Sequence, residues 1–519
     1  MAAIITDDFR RNQARLLVND IKASASASFD TPASNSIEST WPYRGNNRYA
    51  IGLGKADKWP NDSAGKAEDA TGFIVPAVDG TLQEDHDIIN NLFTLKDVVA
   101  ANVKQMIAKN VWTTGRKYKV YDQTDDDMFY TTGDLYPCTV IVGTAIYMCL
   151  SNTATSSAFT AVSNSTTTPS ASTYGVSSPS ADGYVWAHVA NFDANDDLAT
   201  NQFSPVTDQS QTTTAAEIQL TGGLLTHIGV INGGTGYTSV PTATLTLTTS
   251  AGAVISSAAI SLTPVLTSGV ITRIDIQKVG VTAMAGSHNY WTNEASAFLN
   301  SSVANRIAFA TVSITGGGGS GATAYASIAP IAGFATNALD VLPTWFVGIY
   351  SSFVGSETDG DAPTLKFRQV SLLKNFVKND SDGVITSAGE GILDCLNTLT
   401  LTGANTTALG ALTEGTVLTT GTSKFYYNYY SGNTLYYHQN SSSEVNMITP
   451  TGSSAAVTVV DGGTEIATGW SAVDITKEYD IFATSSPNKR NGEVIFQENR
   501  APFGRTTTQT EEVKLIIQL

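Results

Sequence analysis

Two glycine-rich segments are the first places where this sequence could do chemistry, because backbone amides in glycine loops can hold phosphate groups. They are residues 232–237 (NGGTGY) and residues 316–324 (GGGGSGATA). A phosphate-binding loop needs a helix that begins directly after it, and usually a lysine after the last glycine. Thr/Ala sequence of strand type continues from both segments, so we interpret them as turns and not as nucleotide sites.

Three acidic clusters could offer oxygen ligands to a cation. They are residues 84–87 (EDHD), 125–127 (DDD) and 357–361 (ETDGD). The first has no second ligand group at a recognisable spacing, and the third has fewer ligands than a calcium loop requires. We therefore predict an acidic approach to a helix at 84–87, solvated segments at the other two, and no metal site.

The sequence patterns also lack a paired nucleophile and base. None of the five histidines has HExxH spacing, and no GxSxG segment occurs. The only cysteines are Cys138, Cys149 and Cys395, which form neither a CxxC pair nor a disulfide framework, so buried free thiols are expected. We predict a protein that is not an enzyme and that has no catalytic residues and no cofactor.

The charge balance restricts the partners of the chain. Charged residues make up 14% of the 519 residues, the net charge is -17, and basic residues cluster only in pairs. Binding to a nucleic-acid backbone requires the opposite sign, because cations must displace condensed counterions. Thr, Ser, Asn and Gly replace the charges, which is typical of strand faces and turns. We expect a soluble β protein that docks onto protein partners and not onto nucleic acid.

The apolar segments are too short for a membrane. The first residues lack the basic start and the long apolar stretch of a secretory signal. The longest apolar run, residues 140–150, contains Gly143 and Thr144 and is shorter than the roughly 20 residues that cross a bilayer. We therefore expect an unsecreted protein with no membrane partner.

Two segments have helical periodicity. The first begins at Thr6 as an N-cap, and its predicted apolar face carries Phe9, Gln13, Leu16, Leu17 and Ile21. The second spans about residues 92–109. Each face packs either on the chain's own sheets or against another subunit. In the subunit interpretation the candidate interface residues are Phe9, Leu16, Leu17, Leu92, Leu95, Val99, Val103 and Met106.

Most of the remaining sequence predicts strands. β-Branched and aromatic runs of strand length occupy residues 49–53, 139–150, 184–189, 366–373, 493–497 and 511–518. Residues 424–438 predict a Tyr-rich hairpin that turns at Ser431, Gly432 and Asn433. Its aromatic side chains suit cross-strand contacts, with a saccharide platform as the alternative.

Shifts in composition predict the domain organisation. A layered β-sandwich core with two amphipathic helices takes residues 1–203, a core strand at 365–380 and C-terminal strands at 477–519. A Gly/Thr-rich β module is inserted at 204–364, and a second β-rich region with the Tyr hairpin is inserted at 381–476. The predicted fold class is therefore mainly β.

Several stretches resemble one protein family. Residues 492–502 (GEVIFQENRAP), followed by residues 509–513 (QTEEV) and an apolar end, resemble the closing pattern of the gene-product-eight baseplate wedge proteins of T-even-type contractile bacteriophages. Residues 181–186 (ADGYVW) and 367–371 (FRQVS) are similar in the same order along the chain, as are the Phe9-Arg10 helix start and the 92–118 region. The low-charge stretches enlarge this chain relative to the family.

The resemblance implies a dimer of layered β-sandwich monomers with helices along the dimer interface. It also implies assembly with other wedge subunits around a central hub in the tail baseplate of the virion, with fibre-attachment proteins as a further candidate partner. The family has no catalytic residues and no cofactors, so none are transferred. We expect a structural wedge subunit. The alternative is a receptor-binding or fibre-attachment protein, which the Gly/Thr-rich insertions and the Tyr hairpin favour.

Overall fold

The computed structural model describes residues 5–25, 49–55, 58–152, 164–171, 177, 180–206, 225–249, 251–252, 254–255, 260–278, 307–330, 334, 338–354, 366–374, 392–394, 396–413, 415–421, 423–438, 455–460, 462–474, 493–503 and 509–519. Within these residues the chain is mainly β and contains several sheets, which confirms the predicted fold class.

Helices are few in the part of the chain that the structure describes. They are α1 (Asp7–Ala25) and α2 (Leu82–Asn91), with short helical turns at Ala100–Asn102, Ala338–Val341 and Thr406–Gly410. The strands in the first half are β1 (Tyr49–Gly54), β2 (Leu92–Asp97), β3 (Val103–Ala108), β4 (Lys117–Tyr118), β5 (Leu135–Tyr136), β6 (Thr139–Val142), β7 (Ala145–Asn152), β8 (Tyr184–Asn191), β9 (Phe203–Pro205), β10 (Leu225–Thr235), β11 (Thr242–Thr249) and β12 (Val254–Ile255).

The later strands include a second group of long antiparallel elements. They are β13 (Ile260–Thr267), β14 (Val270–Lys278), β15 (Ile307–Thr315), β16 (Ser320–Ile328), β17 (Phe346–Val354), β18 (Phe367–Lys374), β19 (Ile392–Asp394), β20 (Asn397–Ala404), β21 (Val417–Thr420), β22 (Ser423–Ser431), β23 (Thr434–His438), β24 (Val457–Val459), β25 (Glu465–Asp474), β26 (Glu493–Phe503) and β27 (Thr510–Gln518).

The chain divides into two compact units. Unit 1 comprises residues 1–15, 104–347 and 518–519, and unit 2 comprises residues 16–103 and 348–517. The predicted N-terminal core over 1–203 is therefore divided near residue 104. The physical reason is strand pairing, because β1 and β2 pair with β18 and β19 from the C-terminal half of the sequence.

In unit 1, strands β6, β7 and β8 form an antiparallel sheet. Val142 pairs with Ala145, so Gly143 and Thr144 make a two-residue turn in which Gly143 has a φ of 60°. A glycine with positive φ is what a tight hairpin turn of this length requires. The run predicted as one strand at 139–150 is therefore a hairpin. Its buried side chains share a core with β8 and with residues 329–345.

The Gly/Thr-rich insertion forms its own sheet within unit 1. Its strands run in the order β10-β16-β15-β11-β13-β14, with β12 beside β11. Buried and exposed residues alternate, as where Leu245 and Leu247 are buried and Thr246 between them is exposed. The sheet ends at Ile328, and Ala329 already packs in the main core of unit 1. Strands β10 to β16 thus lie within the predicted insertion at 204–364, and the last part of that range also contributes residues to the main core of unit 1.

The two glycine-rich segments of the sequence meet around one buried tyrosine. The amide of Thr238 donates to the carbonyl oxygen of Gly317 at 2.9 Å, and Tyr237 is buried between the segments. A Cβ on Gly319 would lie 2.5 Å from Cγ of Tyr237 and 2.7 Å from the carbonyl oxygen of Thr235. Residues 316–319 are a turn, as predicted, whereas residues 232–235 and 320–324 belong to strands β10 and β16. Glycine is required at position 319 because the ring and the backbone leave no space for a side chain.

We predict that Gly319→Ala destabilises the inserted sheet by about 1–3 kcal/mol, the usual effect of overfilling a packed site. Differential scanning calorimetry should show a lower melting temperature for the transition that contains this sheet. Gly410→Ala is the matched control, because nothing lies within 4 Å of a Cβ at that helical position. Equal melting temperatures for the Gly319→Ala and Gly410→Ala variants would contradict the packing argument.

Unit 2 contains an open sheet and a closed barrel. The open sheet has the order β19-β2-β1-β18-β26. The barrel closes through β20-β23-β22-β21-β24-β25 and is filled by apolar side chains that include Phe425, Leu435 and Trp470. Ser431 pairs with Thr434, which confirms the predicted Tyr-rich hairpin. Its turn consists of Gly432 and Asn433, whereas the prediction also included Ser431.

Helix α1 begins as predicted but buries a different face. The hydroxyl of Thr6 accepts a hydrogen bond from the amide of Phe9 at 3.2 Å, which confirms Thr6 as the N-cap. The buried residues are Ala14, Val18 and Ile21, whereas Phe9 and Leu16 are exposed. Of the predicted face, Ile21 is buried and Leu17 is partly buried, so the packed face is shifted from the predicted one. Polar contacts accompany this orientation of the helix. Among them, Arg15 pairs with Asp340, and Asp20 accepts from the hydroxyl of Tyr49.

The predicted helix at 92–109 does not exist. Residues 92–97 and 103–108 are strands β2 and β3, with a helical turn between them. Strand β2 is buried on both faces, and a run without alternation can reproduce helical spacing by coincidence. Leu92, Leu95, Val103 and Met106 are accordingly buried within the chain, and Val99 is partly buried.

The second helix of the structure lies immediately before that position, over Leu82–Asn91. Thr81 caps it, because its hydroxyl accepts from the amide of Glu84 at 3.2 Å. The carboxylate of Glu84 in turn accepts from the amides of Asp79 and Gly80 at 2.6 and 2.9 Å. The signal in the sequence was the Thr81-x-x-Glu84 pattern of a capping box. Residues 84–87, predicted as an acidic approach to a helix, lie within the first half of α2 itself.

Candidate interaction site

Residues 367–371 and 492–502 are two of the segments on which the resemblance stated above is based. They lie on neighbouring strands of unit 2. Strands β18 and β26 are antiparallel, with Gln369 opposite Asn499, Val370 opposite Glu498 and Ser371 opposite Gln497. The side-chain amide of Gln369 donates to Oδ1 of Asn499 at 3.0 Å. Two motifs that are 130 residues apart in sequence thus form one polar site.

Pro502 lies within strand β26 and does not end it. Strand β26 continues to Phe503, which pairs with Phe367. The register shifts between Gln369 and Phe367, so residues 500–502 bulge opposite a single residue of β18. Proline is tolerated there because β26 is at the edge of the sheet and a bulged residue gives up its ladder hydrogen bond.

The buried cation of this site is Arg368, and its partner is Glu68. The guanidinium donates from Nε and Nη2 to the two carboxylate oxygens at 2.6 Å each, and the two side chains are 2% and 1% exposed. The amide of Trp59 also donates to Glu68 at 2.7 Å. Burial opposes ionisation of Glu68, but these hydrogen bonds outweigh it and hold the pKa of the carboxyl below its usual range. The pair fastens residues 58–68 to β18.

A second carboxylate connects β26 to the start of α2. Glu84 accepts from the side-chain amide of Gln497 at 3.0 Å and from that of Asn499 at 3.5 Å. The same Asn499 amide group donates to the carbonyl oxygen of Pro76 at 3.2 Å. The ENR motif therefore positions the segment before α2, and Arg500 contributes its carbonyl oxygen to the indole N–H of Trp59 at 3.0 Å. The arginine that binds a carboxylate with two hydrogen bonds in this site is Arg368.

The third family-like segment, residues 181–186, lies in unit 1 and has a local role. Asp182 accepts from the amides of Thr166 and Thr167 at 2.6 and 2.8 Å, and from the hydroxyl of Ser180. Burial disfavours its charge, yet these hydrogen bonds hold the pKa of Asp182 below the ordinary value. The ionised carboxylate thus ties residues 164–167 to the start of β8.

The candidate interface residues are not brought together on one surface. Phe9 and Leu16 are 53% and 61% exposed on α1, and Leu17 is partly buried. Of the other five residues, four are buried in strands and Val99 is partly buried. Only Phe9 and Leu16 are available to a second molecule, and their use in an interface stays a prediction.

The remaining chemical signals have structural explanations where the structure describes them. Asp125 accepts from the amide of Asp127 at 2.9 Å, as expected for a turn. Cys138 and Cys149 are buried free thiols, as predicted, and burial raises the pKa of Cys138. His188 is buried, and its Nε2 lies 3.1 Å from Oδ1 of Asn191.

Several sequence candidates have positions or side chains outside the described residues. They are Cys395, His288, residues 357–361 and the side chains of His86, His227 and His438. Among the described residues, no group of three or more His, Cys, Asp or Glu is arranged to hold a metal ion. None of the described helices is long and apolar enough to cross a membrane.

Comparison with known proteins gives no assignment. No protein-family model matches this chain, and no curated protein matches it either.

The Arg368–Glu68 pair makes a quantitative prediction. Arg368→Met should destabilise unit 2 by about 3–5 kcal/mol, because it leaves a buried carboxylate without its cation. Glu68→Leu combined with Arg368→Met should recover most of this loss, since two apolar side chains replace the pair. Chemical denaturation and hydrogen exchange of the Trp59 amide measure the effect.

Lys58→Ala is the control for that experiment, because it breaks the exposed Lys58–Asp69 pair in the same segment. Exposed ion pairs contribute little to stability, so this variant should behave like the wild type. If Arg368→Met is as stable as Lys58→Ala, the buried pair does not hold the segment in place.

Proposed function

We propose that this chain is a non-enzymatic structural subunit of the baseplate wedge in a contractile phage tail. The observation that carries the proposal is the register of β18 and β26. The FRQVS and ENRAP segments resemble the same family independently, and Gln369 of one bonds to Asn499 of the other. Chance similarity gives no reason for two distant segments to share one polar site. The mainly β architecture and the low surface charge are in keeping with a protein that works through its interfaces.

An assembly role also agrees with the hydrogen bonds that three acidic side chains accept. The carboxylates of Glu68, Glu84 and Asp182 accept backbone amides of their own chain. Side chains that are saturated in this way hold loops in place and are not available as general bases. We therefore propose that the chain performs no hydrolytic or transfer chemistry and requires no cofactor.

One observation favours the alternative of a receptor-binding or fibre-attachment protein. The rings of Tyr429 and Tyr436 stack with centroids 4.2 Å apart and an interplanar angle of 9°. Both are partly exposed, unlike Phe425, Tyr427 and Tyr437, which belong to the barrel core. Flat aromatic surfaces suit saccharide rings. This surface fits a fibre-like role, but it does not explain the register of the two family-like segments.

The location of the chain in the virion tests the proposal. We expect a reconstruction of the intact tail of the phage that encodes it to place this subunit in the wedges around the central hub. A subunit found only at the tips of the fibres would support the receptor-binding alternative. Absence from the tail would contradict both functions.

We further propose that α1 contributes to a homodimer through Phe9 and Leu16, which lie seven residues apart on its exposed face. Phe9→Asp combined with Leu16→Asp should weaken self-association at least about tenfold, because two charges would be buried in an apolar contact. Sedimentation equilibrium measures the association. Val254→Asp, at an equally exposed position in the inserted sheet, is the control. A wild-type chain that stays monomeric at tens of micromolar would refute the dimer.

A further inference from the structure

Residues 58–81 form a long segment without regular secondary structure that is nevertheless held in one conformation. Asp62 accepts from the amides of Ala64, Lys66 and Ile74 at 2.9, 2.8 and 3.2 Å. The ammonium group of Lys66 donates to the carbonyl oxygen of Gly72 at 3.0 Å. Together with the buried carboxylate of Glu68, these bonds satisfy backbone groups that a loop normally leaves to water. Segments of this length without strands or helices are uncommon in compact domains and usually functional.

The end of this segment exposes three large apolar side chains. Ile74, Val78 and Leu82 are 64%, 37% and 72% exposed. The Asn499 side-chain amide reaches both the carbonyl oxygen of Pro76 and the carboxylate of Glu84, so the chain that carries these side chains is anchored at two points. Residues 74–82, which we name the docking loop, therefore display three exposed apolar side chains on an anchored segment.

The charged residues near Ile74, Val78 and Leu82 in the sequence are acidic. Asp79 lies within the docking loop, and Asp85 and Asp87 follow it in the first half of α2. The exposed cations of the segment are already engaged, because Lys58 is paired with Asp69 and the ammonium group of Lys66 donates to the carbonyl oxygen of Gly72. A second copy of this chain would bring the same negative rim to the contact and carries a net charge of -17 itself. Like charges disfavour that contact, and opposite charges favour a partner with Lys or Arg around an apolar centre.

We infer that the docking loop binds a different protein, whose apolar side chains pack on Ile74, Val78 and Leu82 and whose basic side chains face Asp79, Asp85 and Asp87. Residues 497–499 of β26 act at a distance from this contact. By bonding Pro76 and Glu84 they hold the loop in its binding conformation before the partner arrives, which lowers the entropy lost on association. The inference rests on the proposed function only for the identity of the partner.

The first experiment tests the surface without any assumption about the virion. A displayed random peptide library is first passed over the Ile74→Ser/Leu82→Ser variant of the full chain, and the peptides that bind this variant are discarded. The remaining peptides are then selected for binding to the wild-type chain. We expect peptides that combine apolar residues with Lys or Arg. Synthetic copies should bind the double variant at least about tenfold more weakly, because two apolar contacts are lost. Val254→Ser, which alters an equally exposed apolar residue elsewhere, should bind them like the wild type.

Asn499→Ala separates preorganisation from direct contact. This variant keeps every apolar side chain of the docking loop but removes the bonds to Pro76 and Glu84. We expect faster amide hydrogen exchange over residues 74–82 and weaker peptide binding than in the wild type. Unchanged exchange and unchanged binding would show that Asn499 does not position the loop.

The second experiment measures binding of the full chain to each of the other purified wedge subunits of the same phage. Loss of affinity for one of them in the Ile74→Ser/Leu82→Ser variant, with none in Val254→Ser, supports both the docking loop and the proposed function. If loop-dependent peptides are found but no wedge subunit needs the loop, the docking surface stands and the proposed partner class fails. If no peptide survives depletion, or the survivors are acidic, the inference about the surface is wrong.

Discussion

Removing the charges of Arg368 and Glu68 from water is unfavourable unless the two groups meet in good geometry, and this requirement determines how residues 58–68 lie on β18 in unit 2. Once Glu68 is in place, Trp59 is fixed by its amide and by its indole bond to Arg500. Trp59 then lies against the bulge of β26, because its indole N–H bonds to the carbonyl oxygen of Arg500. The open sheet, the irregular segment and the family-like motifs are therefore parts of one arrangement that depends on a single buried ion pair.

Other carboxylates of the chain also bind groups within the chain itself. Charged residues are few overall, and the carboxylates of Asp62, Asp182 and Glu84 accept hydrogen bonds from backbone amides. An acceptor that already has two or three amide donors gains little from a metal ion or a substrate. This explains why acidic clusters that look like ligand sets in the sequence are turns and helix starts where the structure describes them.

Elements with local signals could be predicted from the sequence, and those that depend on distant partners could not. Gly432 and Asn433 specify a tight turn between Tyr-rich arms, so the hairpin was predicted with only the turn length changed. The spacing of Leu92, Leu95 and Val99 suggested a helix because burial on both faces of β2 removes the alternation that identifies a strand. Glu68 gave no signal, since its partner is 300 residues away. The pairing of residues 367–371 with residues 493–503 on β18 and β26 could not be predicted either, because the two segments are distant in sequence.

Strand β26 illustrates how an exposed sheet edge can be kept from recruiting neighbours. An edge strand of this length offers a row of backbone groups to any extended chain that approaches it. In β26 the ladder is interrupted by two shifts in register, Pro502 lacks a donor, and Glu493, Glu498 and Arg500 put charges along the strand. These features make indiscriminate β-pairing unfavourable. Among the described residues, they protect this edge from amyloid-like stacking while leaving its side chains open to other contacts.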